Sequence, residues 1–301
     1  MEMKSTIGLI ILGGIVLMGM LGMQILPLIA IDQESSYAVS EVDQIQIDMS
    51  VTPVHVYQVD AGEEIRFHLY GKAAQQVKLG SKLHQNTVDI YIDYPTVIPT
   101  PTRLYLDVYL PADYERDLDI QITTGGVKVD SMTLANFTLN TTTGGVNTED
   151  LIADDVNVKT TTGGVHFDTI TANQLSVNGT TSGVSCEVCI AGSTQIKTST
   201  GSIKINEGTG NFDLQASTGS VRLSMPELQE NNIRLKTTTG SVNLQIPEDA
   251  NFSLKAENTT GSINADFPLT YLAKHKVEAE IGDGSASIEI NATTGSINIL
   301  N

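Results

Sequence analysis

The motif Thr-Thr-Gly-Gly-Val, with Ser for the second Gly in later copies, recurs at a nearly fixed interval and limits the fold more than any other feature. Copies stand at Thr123–Val127, Thr142–Val146, Thr161–Val165, Thr180–Val184, Ser199–Ile203, Ser217–Val221, Thr238–Val242, Thr259–Ile263 and Thr293–Ile297. Their closing apolar residues are 19, 19, 19, 19, 18, 21, 21 and 34 residues apart. A period near 20 marks a solenoid, in which one coil cannot bury its apolar face alone and stacked coils share a core. Counted from the closing residue, apolar side chains fall two on (Val129, Phe167, Cys186, Ile205), five on (Met132, Leu151, Ile170, Cys189), ten on (Phe137, Val156, Leu175) and twelve on (Leu139, Val158, Val177, Ile196). Steps of two are strands with one buried face, and the odd steps between them are corners.

The sequence therefore predicts an all-β chain: a β-solenoid of parallel β-helix or roll type, about 19–21 residues per coil. Nine coils stacked about 4.8 Å apart make a rod on the order of 40 Å long. Gly125, Gly144, Gly163, Gly201, Gly219, Gly240, Gly261 and Gly295 mark the sharpest corner, where φ > 0 costs Gly nothing; Ser182 is the exception. The Thr pairs before them are placed to form hydroxyl and methyl ladders between coils.

Residues 7–31 carry no charge over 25 positions, about 37 Å of helix against a hydrocarbon core of about 30 Å. Lys4 precedes this run, and Asp32, Glu34, Glu41 and Asp43 follow it. The positive-inside rule then predicts a single-pass transmembrane signal anchor with a cytoplasmic N-terminus and an extracytoplasmic solenoid. A cleaved signal peptide is the competing reading, but its apolar region is normally shorter, and Leu28-Ile29-Ala30-Ile31 is a poor cleavage site. The expected organisation is a cytoplasmic tip and anchor (1–31), a polar linker (32–41), a β-rich N-terminal part or cap (42–122), the repeat solenoid (123–263) and a C-terminal coil and cap (264–301).

The anchor, Leu106-Asp-Val-Tyr-Leu-Pro111 leading into Leu118-Asp-Ile-Gln-Ile-Thr-Thr-Gly125, the repeated corner motif, and the ending Asp266-Phe-Pro, Ile281-Gly-Asp-Gly284, Thr294-Gly-Ser-Ile-Asn-Ile299 belong to one pattern. Together they resemble the prokaryotic putative-adhesin family of β-strand-repeat domains over roughly residues 40–301. The resemblance implies a β-solenoid on an envelope protein. It brings no catalytic residues with it.

A net charge of −18 argues against nucleic acid as a partner, because phosphates need Lys and Arg. Three residues past the closing Val stand Asp130, Glu149, Asp168 and Glu187, which stacking brings into one column. Such a column reads as a weak divalent-cation site or an acidic contact strip, against the alternative of a solvated face; no other cofactor is expected. Cys186 and Cys189 occupy core slots, so buried small hydrophobes are favoured over a corner disulfide, and a lone C-x-x-C speaks against zinc. His55, His68, His84, His166 and His275 show no metal or triad spacing, and no nucleophile elbow, phosphate loop or dinucleotide fingerprint occurs.

The expected function is a non-enzymatic binding or structural module of the cell envelope. It would be held to the membrane by residues 7–31, with an envelope polymer or a membrane protein as partner. The alternatives are an accessory regulator or sensor of an envelope-stress system and a polysaccharide-active β-helix enzyme.

Overall fold

A computed structural model describes residues 28–95 and 102–301, so residues 7–27 of the expected membrane span lie outside the described residues. Among the described residues no helix is long and apolar enough to cross a membrane. The stretch expected to be a linker is instead strand β1 (Ile29–Ala38), paired antiparallel over its whole length with β4 (Glu64–Ala73). Its polar composition hides the strand. Ile31 is buried, while Gln33 imitates a backbone edge, its amide donating to Val77 O and its oxygen accepting from Leu79 N, both at 2.8 Å. The uncharged run outside β1 is thus residues 7–28, 22 residues or about 33 Å of helix.

The remaining strands form two faces joined at the Thr-Thr-Gly corner, and in the middle coils a third, short face (150–153 on 169–172) lies between them. Along the chain they are β2 (Gln44–Met49), β3 (Val54–Val59), β5 (Lys78–His84), β6 (Thr87–Asp93), β7 (Thr102–Pro111), β8 (Asp117–Thr124), β9 (Val127–Val129) and β10 (Met132–Thr143). Four long coils follow: β11 (Val146–Thr162), β12 (Val165–Thr181), β13 (Val184–Thr200) and β14 (Ile203–Thr218). Shorter pieces complete the chain: β15 (Val221–Ser224), β16 (Asn232–Thr239), β17 (Val242–Gln245), β18 (Phe252–Thr260), β19 (Ile263–Ala265), β20 (Thr270–Ala273), β21 (Lys276–Ile281), β22 (Ala286–Thr294) and β23 (Ile297–Leu300).

The pre-corner face stacks parallel in the order β6, β2, β8, β10, β11, β12, β13, β14, β16, β22, β18. The post-corner face runs β7, β3, β9, β11, β12, β13, β14, β15, β17, β23, β19. Both faces are eleven layers deep, about 50 Å at the ordinary strand spacing. Identical slots stack in register, as in Phe137↔Val156, Val156↔Leu175 and Val158↔Val177, and all five of these side chains are buried. The coils bend where the ladder skips a residue, at Glu149/Asp168/Glu187 and at Asp154/Asn173/Gly192.

Stack order departs from chain order at both ends. The chain's first coil, β2/β3, is second in the stack, because β6/β7 lies outside it. Its last coil, β22/β23, slides between β16/β17 and β18/β19. Antiparallel strands then cover the stack, β4 and β1 on β7, β5 on β6, and β21 and β20 on β18. Covering strand edges in this way blocks edge-to-edge pairing.

The corner glycines sit at φ between 131° and 154°. Conformation is only half of the reason for them. A Cβ on Gly163 would lie 2.0 Å from the carbonyl oxygen of Gly144, and one on Gly144 would lie 1.9 Å from that of Gly125. Each glycine therefore makes room for the backbone of the layer before it. A tenth corner, Ser50-Val51-Thr52-Pro53-Val54, lacks the motif yet stacks on Thr123–Val127, with Thr124 N donating to Ser50 O and Val54 N to Gly126 O.

Candidate functional site

An open groove of about 810 Å³ runs along the stack on the pre-corner face. One wall is a column of outward side chains four residues before the corner glycine. In register it reads Asp48, Gln121, Asn140, Lys159, Asn178, Lys197, Gln215, Lys236. The other wall is the exposed hydroxyl column Thr123, Thr142, Thr161, Thr180, Ser199, Ser217 and Thr238. Strand alternation explains the arrangement, since the residue between the walls points inward as Ile122, Thr141, Thr160, Thr198, Ala216 or Thr237, all buried. The ionisable lining groups are three Lys and one Asp, a local charge of +2 on a chain of −18. Lys159, Lys197 and Lys236 form no ion pair among the described residues, whereas Lys128, Lys276, Arg116 and Arg234 do.

A second hollow of about 450 Å³ lies on the post-corner face at the N-terminal end. Tyr57 stacks on Tyr109 at 5.2 Å and Tyr70 on Tyr105 at 5.6 Å, with the His55 ring 3.6 Å from Tyr57. They surround Asp107, which is nearly buried and accepts from Tyr109 Oη at 3.4 Å. Burial first, then the Asp107 charge, holds the phenols of Tyr57, Tyr70 and Tyr109 above their ordinary value.

The four carboxylates expected to form a cation column do lie at one corner, and each has a side-chain partner, Lys128 being shared by two of them. Asp130 bonds His55 at 2.7 Å and Lys128 at 3.1 Å; burial raises its pKa, but these two bonds outweigh it and hold the carboxyl low. Glu149 pairs with Lys128 at 3.1 Å, Asp168 with His166 at 2.8 Å, and Glu187 with the Asn206 amide. Among the described residues no three His, Cys, Asp or Glu side chains are grouped as metal ligands. Cys186 and Cys189 are free and buried in the core slots assigned to them; the hydrogen bond with Cys189, then burial, pushes the Cys186 thiol up.

Stacking also creates a contact that linear spacing hides. His166 lies 2.8 Å from Ser185 Oγ through Nδ1 and 2.8 Å from Asp168 through Nε2. These are triad residue types, but two features weaken nucleophilic chemistry. Asp168 is 56% exposed where an orienting carboxylate is normally buried. Strand β13 has a parallel neighbour on both sides, so its N–H groups serve the ladders rather than an oxyanion.

The lysine and tyrosine clusters were both open to sequence reasoning. Counting backward four residues from the third residue of the five corner motifs between 161 and 242 gives the Lys-Asn-Lys-Gln-Lys column, and eight of the nine tyrosines fall within residues 37–114. Counting forward from the closing Val finds only the acidic corner.

Solved structures share the architecture at low identity. A putative lipid binding protein from Parabacteroides distasonis aligns with TM-score 0.53 and 11% identity over 90% of this chain and 97% of its own, a likeness of fold. A putative adhesin from Bacteroides fragilis aligns with TM-score 0.46 and 14% identity over 89% and 97% of the two chains. Another from Parabacteroides merdae gives 0.39 and 7% over 90% and 96%. No protein of curated function matches the sequence. The Toastrack DUF4097 family model matches residues 42–300, the whole stack from β2/β3 to β23, and the chain belongs to that family.

Proposed function

We propose that this chain is a non-enzymatic binding module of the cell envelope, held to the membrane by residues 7–28 with its N-terminus in the cytoplasm and its solenoid outside. The observation that carries the reading is the axial groove. It is polar, solvent-exposed and repeated over eight layers, a surface for holding an extended partner rather than enclosing a small substrate. The adhesin names borne by structural neighbours agree with a binding role. To test it, a flexible insert carrying a protease site is placed between Leu28, the last anchor residue, and Ile29, the first of β1, with a tag after Asn301, and protease is added to intact cells. Release of the tag, either directly or after only the outer envelope is opened, supports the reading. Protection until the inner membrane breaks overturns it.

One observation favours the neighbouring reading, an accessory that contacts a membrane partner in the same cell. Strand β1 begins at Ile29, so the solenoid starts at the end of the apolar run with no flexible tether to extend its reach. Crosslinking from the N-terminal cap to a membrane protein supports that version, and crosslinking only to polymer or other cells supports the adhesive one. A nucleophilic reading of the Ser185–His166–Asp168 contact, distinct from the polysaccharide-active alternative, predicts labelling of Ser185 by a fluorophosphonate probe. The expected result is no labelling beyond that of Ser185→Ala.

A further inference from the structure

We infer that the axial groove binds a linear, unbranched polyanion with an acidic group at every second layer of the stack. The inference rests on the binding-module reading above and names the chemistry of its ligand.

Three observations lead there. First, the groove extends from the Asp48 layer to the Lys236 layer, about 34 Å at the ordinary strand spacing. A ligand that fills it must itself be extended. Second, Lys159, Lys197 and Lys236 stand on alternate layers, with Asn178 and Gln215 between them in direct register. The ammonium-bearing positions are therefore about 10 Å apart. Third, the three lysines lack carboxylate partners among the described residues, on a protein with 35 acidic and 17 basic side chains. A cation column left unpaired on an acidic rod is complementary to an anionic chain, and its three lysines outnumber Asp48, the acidic group that lines one end of the groove.

The residues between the lysines define the rest of the ligand. Asn140, Asn178 and Gln215 offer amide donors and acceptors, and the facing Thr and Ser column offers hydroxyls. These suit sugar or polyol hydroxyls. The groove lining contains no aromatic ring, so the stacking that holds single-stranded nucleic acid is missing. An acidic glycan and a polyol-phosphate polyester share the required chemistry, anionic groups separated by hydroxyl-bearing units.

The test uses the purified chain in detergent with four polymers, polygalacturonate, poly(glycerol phosphate), neutral dextran and a single-stranded oligonucleotide. Binding to one or both of the first two, absent for dextran and at least tenfold weaker for the oligonucleotide, is expected. The polymer that binds identifies the anion. Added salt weakens the binding, because the contacts are solvent-exposed. The triple variant Lys159→Gln, Lys197→Gln, Lys236→Gln loses about tenfold or more, each single variant about two- to threefold. A matched triple variant away from the groove, Lys204→Gln, Arg222→Gln, Lys255→Gln, retains affinity. All of these side chains point outward, so unchanged melting verifies the folds. Equal loss in the two triple variants, equal binding of dextran, or no binding to either polyanion overturns the inference. The outcome is separable from the module reading. Loss of adhesion or partner crosslinking in cells lacking the chain, with no polyanion binding in vitro, sinks the groove and leaves the module standing. Polyanion binding by a solenoid that the protease assay finds cytoplasmic does the reverse.

Discussion

The middle of the stack and its two ends solve the same problem differently. From β11 to β14 each layer has near-copies of itself on both sides, and a residue's role is fixed by its column. At the ends there is no copy to stack on. There the chain bypasses a layer, returns, and inserts its first and last coils second from the edge, and antiparallel strands cover what remains. The two covers also differ. The N-terminal one shields both faces with β1, β4 and β5. The C-terminal one shields only the pre-corner face and leaves the three-residue β19 as the post-corner edge. Repetition specifies an interior, while ends need non-repeating sequence, because a self-similar end would keep recruiting further coils.

The glycine column gives the strongest way to break this comparison. In the middle, Gly163→Ala places a methyl 2.0 Å from Gly144 O at φ 134°, so strain and a backbone clash add. The expected loss is about 3 kcal/mol or more, read as a fall in the urea midpoint. Near the N-terminal end, Gly125→Ala meets Pro53 N only at 3.1 Å, because Thr52 and Pro53 replace glycine in the layer beneath. There the conformational penalty remains with a tight contact in place of an overlap, and about 1–2 kcal/mol is expected. Equal losses at the two positions would mean that φ alone sets the requirement.

At the other end, Val277→Asp puts a carboxylate in a fully buried slot of β21. About 2–3 kcal/mol of the cap's attachment should go with it. Hydrogen exchange locates the effect. Faster exchange confined to β18, β20 and β21, with β11–β14 still protected, is expected of a nearest-neighbour stack. Uniform acceleration along the rod would show one cooperative unit, with the ends holding the middle in place.

How far the sequence carried these conclusions follows from the same contrast. In the middle, the period assigns Phe137, Phe167, Leu151 and Ile196 to the core, and Phe137, Phe167 and Ile196 have no exposed surface at all. The corner glycines are equally legible, because only one residue type both reaches that φ and clears the neighbouring carbonyl. The layer swaps are not legible, since β2/β3 and β6/β7 carry alternating apolar residues that fit any neighbour. Nor does β1 declare itself, being a polar strand whose Gln33 satisfies backbone groups. The groove's column of Lys, Asn and Gln residues could be collected by counting back from the corner, but the hollow it lines appears only once the layers are in register.

Alkaline pH should separate the regions more gently. Burial is the main cause that raises the phenols of Tyr57, Tyr70, Tyr94, Tyr109 and Tyr114. All five lie in or beside the N-terminal layers, and residues 123–263 contain no tyrosine. A raised folded pKa contributes stability that is fully present below the unfolded value near 10 and is lost as pH rises through the folded values. Above about pH 10 exchange should therefore accelerate in β2–β7 before β11–β14, in step with tyrosinate absorbance. Loss beginning in the middle coils would sink this assignment.

The smallest expected effect concerns the acidic corner of the middle coils, where the repeat places like charges without assembling a site. Asp168 and Glu187 are at solvent-facing positions, and each already bonds a neutral or titratable neighbour, His166 or Asn206. Exposed pairs of this kind are worth about 0–1 kcal/mol, and relief of mutual repulsion offsets part of any loss. The double variant Asp168→Asn, Glu187→Gln should shift the urea midpoint by no more than about 0.5 kcal/mol equivalent. Millimolar Ca²⁺ should move the melting temperature of parent and variant alike. A Ca²⁺ shift present in the parent and absent in the variant would make the corner a true cation column, and the repeat would then carry a ligand on both of its faces.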